Sequence, residues 1–64
     1  MRIDKTKIGI AMAKKLLKQQ DLADLAGVSR QTVSYIMNGR NCKPDLLGKI
    51  ANALEVEPEE IIEY

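Results

Sequence analysis

Ser29, Arg30, Gln31, Thr32, Ser34 and Tyr35 place six polar side chains in a stretch of seven residues, broken only by Val33. These side chains donate and accept hydrogen bonds, and Arg30 adds a fixed positive charge. No base stands ready to activate a hydroxyl, because the chain has no histidine and so no imidazole for proton transfer or metal binding. Cys42 is the one cysteine; it cannot close a disulfide within the chain or fill a thiolate metal site, and no second thiol is present to resolve an oxidised one. The carboxylates of Glu57, Glu59 and Glu60 could suggest acid and base work. With no partner group beside them, they are better read as acids at the positive end of a short helix. The chemistry on offer is recognition, and the expectation is a protein that is not an enzyme and needs no metal, cofactor or small-molecule ligand.

Residues that recognise must be held by elements, and the 64-residue length allows one domain, spanning 1–64. A chain of this size buries only about 60% of the surface its unfolded form exposes. The composition, 45% apolar and 30% charged, is that of a globular fold. No apolar run reaches the eighteen or so residues of a membrane span, no signal-peptide core follows the N-terminus, and the unpaired cysteine fits a reducing cytoplasm.

The apolar residues recur at helical spacing, and Gly and Pro punctuate them into five short helices with no strand alternation. Asp4 caps a first helix with Ile8, Met12 and Leu16 inward. A second helix, from Gln19 to Ala26, turns Leu22, Ala23, Leu25 and Ala26 to one side and stops at Gly27. Ser29 caps a third, running to about Met37 with Val33, Ile36 and Met37 inward and Asn38-Gly39 as its stop. A fourth begins near Pro44 and buries Leu47, Ile50, Ala51 and Leu54. A fifth opens at Pro58 with Ile61 and Ile62.

Between Gln19 and Gly39, the residues Leu22, Ala23, Ala26, Gly27, Val28, Val33 and Ile36 fall at the spacing of a helix-turn-helix. Ala23 is small where the next helix crosses, Gly27 turns the chain, Val28 plugs the corner, and Val33 and Ile36 pin the second helix. The polar run from Ser29 to Tyr35 is what this arrangement leaves projecting.

Leu17 to Ala23, Gly27 to Ser34, Asn38-Gly39-Arg40 with Pro44, and Lys49 to Val56 together resemble the lambdoid phage repressor and Cro family, also called the xenobiotic-response-element type. The resemblance covers nearly the whole chain. It implies a compact all-α, five-helix lambda-repressor-like DNA-binding domain whose third helix lies in the major groove. Gln19 would then touch a phosphate from the head of helix 2. Ser29 would hold a phosphate as well as cap helix 3. Arg30 and Gln31 would read bases, Arg through guanine O6 and N7 and Gln through adenine N6 and N7. Thr32 and Ser34 are secondary candidates for a thymine methyl or a phosphate, and Tyr35 stands at a further base-reading position. Asn38 and Arg40, with Lys43 beside them, would grip the backbone from the loop. The sequence departs from the family pattern at Leu16, where relatives have a glycine ending helix 1, at Lys18, where they have a Ser or Thr cap, and at Met37, where Glu is frequent.

Charge supports this reading once it is divided along the chain. Residues 1–43 carry nine basic and three acidic side chains, a net of +6, while residues 44–64 carry one basic and six acidic, a net of −5. Lys14, Lys15 and Lys18 read as a solvated face. The expectation is a sequence-specific regulator of transcription that binds an inverted repeat in double-stranded DNA as a homodimer, with Ile61, Ile62 and Tyr64 as candidate dimer contacts. The rival readings are a protein-interaction module on the same scaffold, and an antitoxin or excision accessory factor using the same DNA face.

Overall fold

Asp4 opens the first helix as its type and place suggest, its side chain accepting a hydrogen bond from the Lys7 amide at 3.0 Å. In the computed structural model, which describes residues 1–63, this helix is α1 (Lys5–Lys14). It is followed by α2 (Gln19–Ala26), α3 (Arg30–Met37), α4 (Pro44–Leu54) and a single 3₁₀ turn (Pro58–Glu60).

Helix α1 buries Ile8, Ala11 and Met12 and stops before Leu16, which is 89% exposed and lies outside the expected inward stripe. Leu17 packs against the core instead. Leu16 adopts φ +56°, its amide donating to Ala13 O at 3.1 Å while the Leu17 amide donates to Met12 O at 3.0 Å. That pair of bonds is the usual left-handed closure of a helix, made by a residue with a Cβ where glycine is favoured. Helix α4 ends the same way at Glu55 (φ +58°), whereas α2 closes on Gly27 (φ +72°). Lys18 has no oxygen with which to cap α2. Asp21, three residues on, accepts from the Lys18 amide at 2.9 Å and ties the helix start from within.

The inner faces of α3 and α4 are as the spacing predicts, with Val33 and Ile36 buried on one and Leu47, Ile50, Ala51 and Leu54 on the other. One further inward assignment is corrected: Leu25 on α2 is 59% exposed, whereas Ala26 and Met37 are half-buried and pack against the core. Helix α2 packs against both α3 and α4. No polar or charged side chain is buried among the described residues.

The expected fifth helix is reduced to the 3₁₀ turn, because the residues after it are taken by the N-terminal segment. The Asp4 amide donates to Ile61 O at 2.7 Å, the Glu63 amide to Arg2 O at 2.9 Å, and Ile3 faces Ile62 in an antiparallel bridge. On its other side the same segment meets the α3–α4 loop, through an Arg2–Asn41 bridge and a Cys42 amide donating to Met1 O at 2.8 Å. Residues 1–4 thus form a short extended rib that ties the loop to the tail. Ile3 and Ile61 are buried beneath it, so Ile61 belongs to the core and is withdrawn from any dimer surface. Ile62 is half-buried, and Tyr64 lies outside the described residues.

Candidate nucleic-acid interface

The projecting face of α3 follows from what the helix buries. With Val33 and Ile36 locked inward, residues 30, 31, 34, 35 and 38 fall on the outer side at intervals of three and four. Arg30 and Gln31 are exposed in the first turn, Tyr35 is 54% exposed in the second, and Asn38 is exposed at the helix end. Ser34 and Thr32 are half-buried on the flanks.

Ser29 caps the helix, its hydroxyl accepting from the Thr32 amide at 3.1 Å. The two hydroxyls of Ser29 and Thr32 also meet at 2.9 Å, so the Thr32 hydroxyl is engaged within the cap. At the other end Gly39 turns the chain at φ +79°, and the loop folds back so that the Arg40 guanidinium lies 5.5 Å from the centre of the Tyr35 ring. This cation–π contact holds Arg40 over α3. The structure therefore joins Ser29 to Thr32 and Tyr35 to Arg40, and aligns Arg30, Gln31, Ser34 and Asn38 on the same surface. Gln19 stands apart as the half-buried first residue of α2, beside first-turn amides that have no intrahelical acceptor.

One neighbour of this surface has no signal in the linear spacing. A Cβ added to Gly39 would lie 3.3 Å from Lys5 Cε and 4.0 Å from Lys5 Nζ, so the first residue of α1 rests directly on the turn between Asn38 and Arg40. Only the folding of the N-terminal rib against the loop makes the two ends meet.

Neither perturbed titratable group belongs to the α3 face. Burial pushes the Cys42 thiol up, an effect partly offset by the positive charge of the N-terminus, so the thiol stays protonated near neutrality. The hydrogen bond from Lys15 holds the Glu55 carboxyl below the usual glutamate range, and the Lys15 charge acts the same way. A groove of about 330 Å³ between α1 and the end of α4 is lined by Ile10, Leu54, Val56, Lys15 and Glu55 among others, and contains none of the nine candidate residues. Among the described residues no cluster of acidic or cysteine side chains could hold a metal ion, and no helix is long and apolar enough to cross a membrane.

A family model described as helix-turn-helix matches residues 6–61. Among solved structures, the restriction-modification controller protein C.AhdI from Aeromonas hydrophila shares 33% identity at a TM-score of 0.80, with 88% of this chain and 86% of that one covered. A hydroxyethylphosphonate dioxygenase variant shares 28% identity at a TM-score of 0.86 over all of this chain, which spans only 14% of the dioxygenase. No curated protein sequence matches. With its two-helix unit, its projecting polar helix and a family match over most of its length, the chain belongs to the helix-turn-helix family of lambda repressor/Cro-like DNA-binding proteins.

Proposed function

We propose that this protein is a sequence-specific transcriptional regulator that binds an inverted repeat in double-stranded DNA as a homodimer, in the cytoplasm and without cofactor or catalytic step. The observation that carries the reading is the exposed pair Arg30 and Gln31 at the head of a helix whose orientation is fixed by buried Val33 and Ile36. An arginine and a glutamine presented there can each make two hydrogen bonds to a purine edge in the major groove. Ser29, Gln19, Asn38 and Arg40 flank them as phosphate contacts, with Thr32, Ser34 and Tyr35 completing the nine-residue face. Two recognition helices related by a twofold axis then enter grooves about 34 Å apart. The likeness to C.AhdI, a controller protein, supports a regulatory role.

The test is selection of bound sequences from a random duplex library. A palindromic consensus, weakened by Arg30→Ala and Gln31→Ala, supports the reading; recovery of no consensus, or one indifferent to both substitutions, overturns it. One observation favours a second reading, in which the scaffold serves as a protein-interaction module: the same fold occurs as a small part of a chain named for a dioxygenase. That reading is adopted if salt-dependent duplex binding is missing altogether.

A further inference from the structure

We propose that Lys5 is a further phosphate-binding residue of the DNA face, placed there by the N-terminal rib; this rests on the DNA-binding reading above. Three observations support it. The side chain lies against Gly39, with Cε 3.3 Å from where a Cβ on that residue would sit, which sets its ammonium in the turn between Asn38 and Arg40. Among the described residues it forms no ion pair, whereas Arg2 and Lys15 are paired with Glu63 and Glu55. The rib that positions it is fixed on both edges, by Cys42 N to Met1 O at 2.8 Å toward the loop and Glu63 N to Arg2 O at 2.9 Å toward the tail.

An exposed, unpaired ammonium beside a loop arginine has a defined physical use. Each Lys or Arg that neutralises a DNA phosphate releases condensed counterions, contributing affinity without regard to sequence. Gly39 makes this geometry available: at φ +79° it forms the turn, and lacking a Cβ it leaves room for the lysine stem. Lys5 and Arg40 then bracket the loop from two sides, extending the phosphate contacts beyond the nine residues that α2, α3 and the loops flanking α3 supply.

The experiment measures binding of wild type, Lys5→Met and Lys5→Arg to the selected consensus duplex and to a random-sequence duplex across 50 to 200 mM salt. Lys5→Met keeps the stem that rests on Gly39 and removes only the charge. The expected result is weaker binding to both duplexes, a salt slope shallower by about one, and a deficit that shrinks about threefold across that salt range. Lys5→Arg should restore the wild-type slope, and melting temperatures should coincide. Binding by Lys5→Met with the wild-type slope, whether at full affinity or reduced, overturns the proposal. A wild-type protein that binds neither duplex overturns the DNA reading as well, so the two failures are told apart.

Discussion

Arg40 over the Tyr35 ring, with the guanidinium 5.5 Å from its centre, turns two side chains of different elements into one unit. The expected coupling between Tyr35→Ala and Arg40→Ala in DNA affinity is about 0.5–1 kcal/mol, typical of an exposed cation–π pair. A double-mutant cycle on the consensus duplex checks this, and strictly additive losses rule it out. Under the proposed function Arg30 and Gln31 differ in that they would act on bases: Arg30→Ala should cost about 1–3 kcal/mol on the consensus and relax preference at one base pair, with little change on random DNA. Equal losses on both duplexes would assign Arg30 to the phosphates instead. The outward placement of Arg30 and Gln31 was legible from types and spacing, since a polar run on a helix pinned by Val33 and Ile36 has one way to point. The pairing of Tyr35 with Arg40 was not legible, because it depends on how the Gly39 turn folds the loop back.

Helix ends divide the legible from the illegible at the next scale. Asp4, Ser29 and Gly27 carry their capping roles in their residue types and each performs that role, and Pro44 opens α4 as its first residue. Leu16 and Glu55 carry no such sign, yet both take the left-handed conformation that closes α1 and α4. That conformation costs an L-residue roughly 1–2 kcal/mol, and the 89% exposure of Leu16 means its side chain recovers little by burial. Leu16→Gly should therefore stabilise the domain by about 0.5–1 kcal/mol after allowing for the greater freedom of glycine in the unfolded chain. In a domain this small the melting temperature should rise by a few degrees, and a fall would show that Leu16 makes contacts its exposure conceals. The rib is the other illegible element: a bridge from Ile3 to Ile62 leaves no periodic pattern, and it replaces the helix that Pro58 and its acids suggest. Ile3→Ala should cost about 2–4 kcal/mol, measured by urea titration, which is a large share of the stability of a 64-residue domain. A loss below 1 kcal/mol would mean the rib is not anchored by its buried side chain.

Across the whole molecule, the net charge of +1 hides the +6 and −5 segments, and the fold modifies that division by pairing Arg2 with Glu63 and Lys15 with Glu55. Lys5, Arg30, Arg40 and Lys43 are left outside these pairs, on or beside the α3 surface and its loop. Whether DNA senses the net charge or the local face depends on the screening length relative to the 25 × 21 × 18 Å extents of the domain. At 0.01 M salt the screening length is about 30 Å, longer than the protein, so acids anywhere on the molecule weaken every encounter; at 0.15 M it is about 8 Å, and only charges near the contact count. Neutralising the exposed pair Glu57 and Glu59 with glutamine raises the net charge from +1 to +3 without touching the proposed DNA face. The expected outcome is tighter binding to random duplex at 0.01 M salt and wild-type binding at 0.15 M, whereas Arg40→Ala weakens binding at both. A gain that persists at 0.15 M would place these carboxylates close to the phosphates and contradict the orientation in which α3 enters the groove. Coincident curves at both salt concentrations would show that the acidic segment exerts no long-range field, leaving the selectivity for DNA to the contacts of the α3 surface.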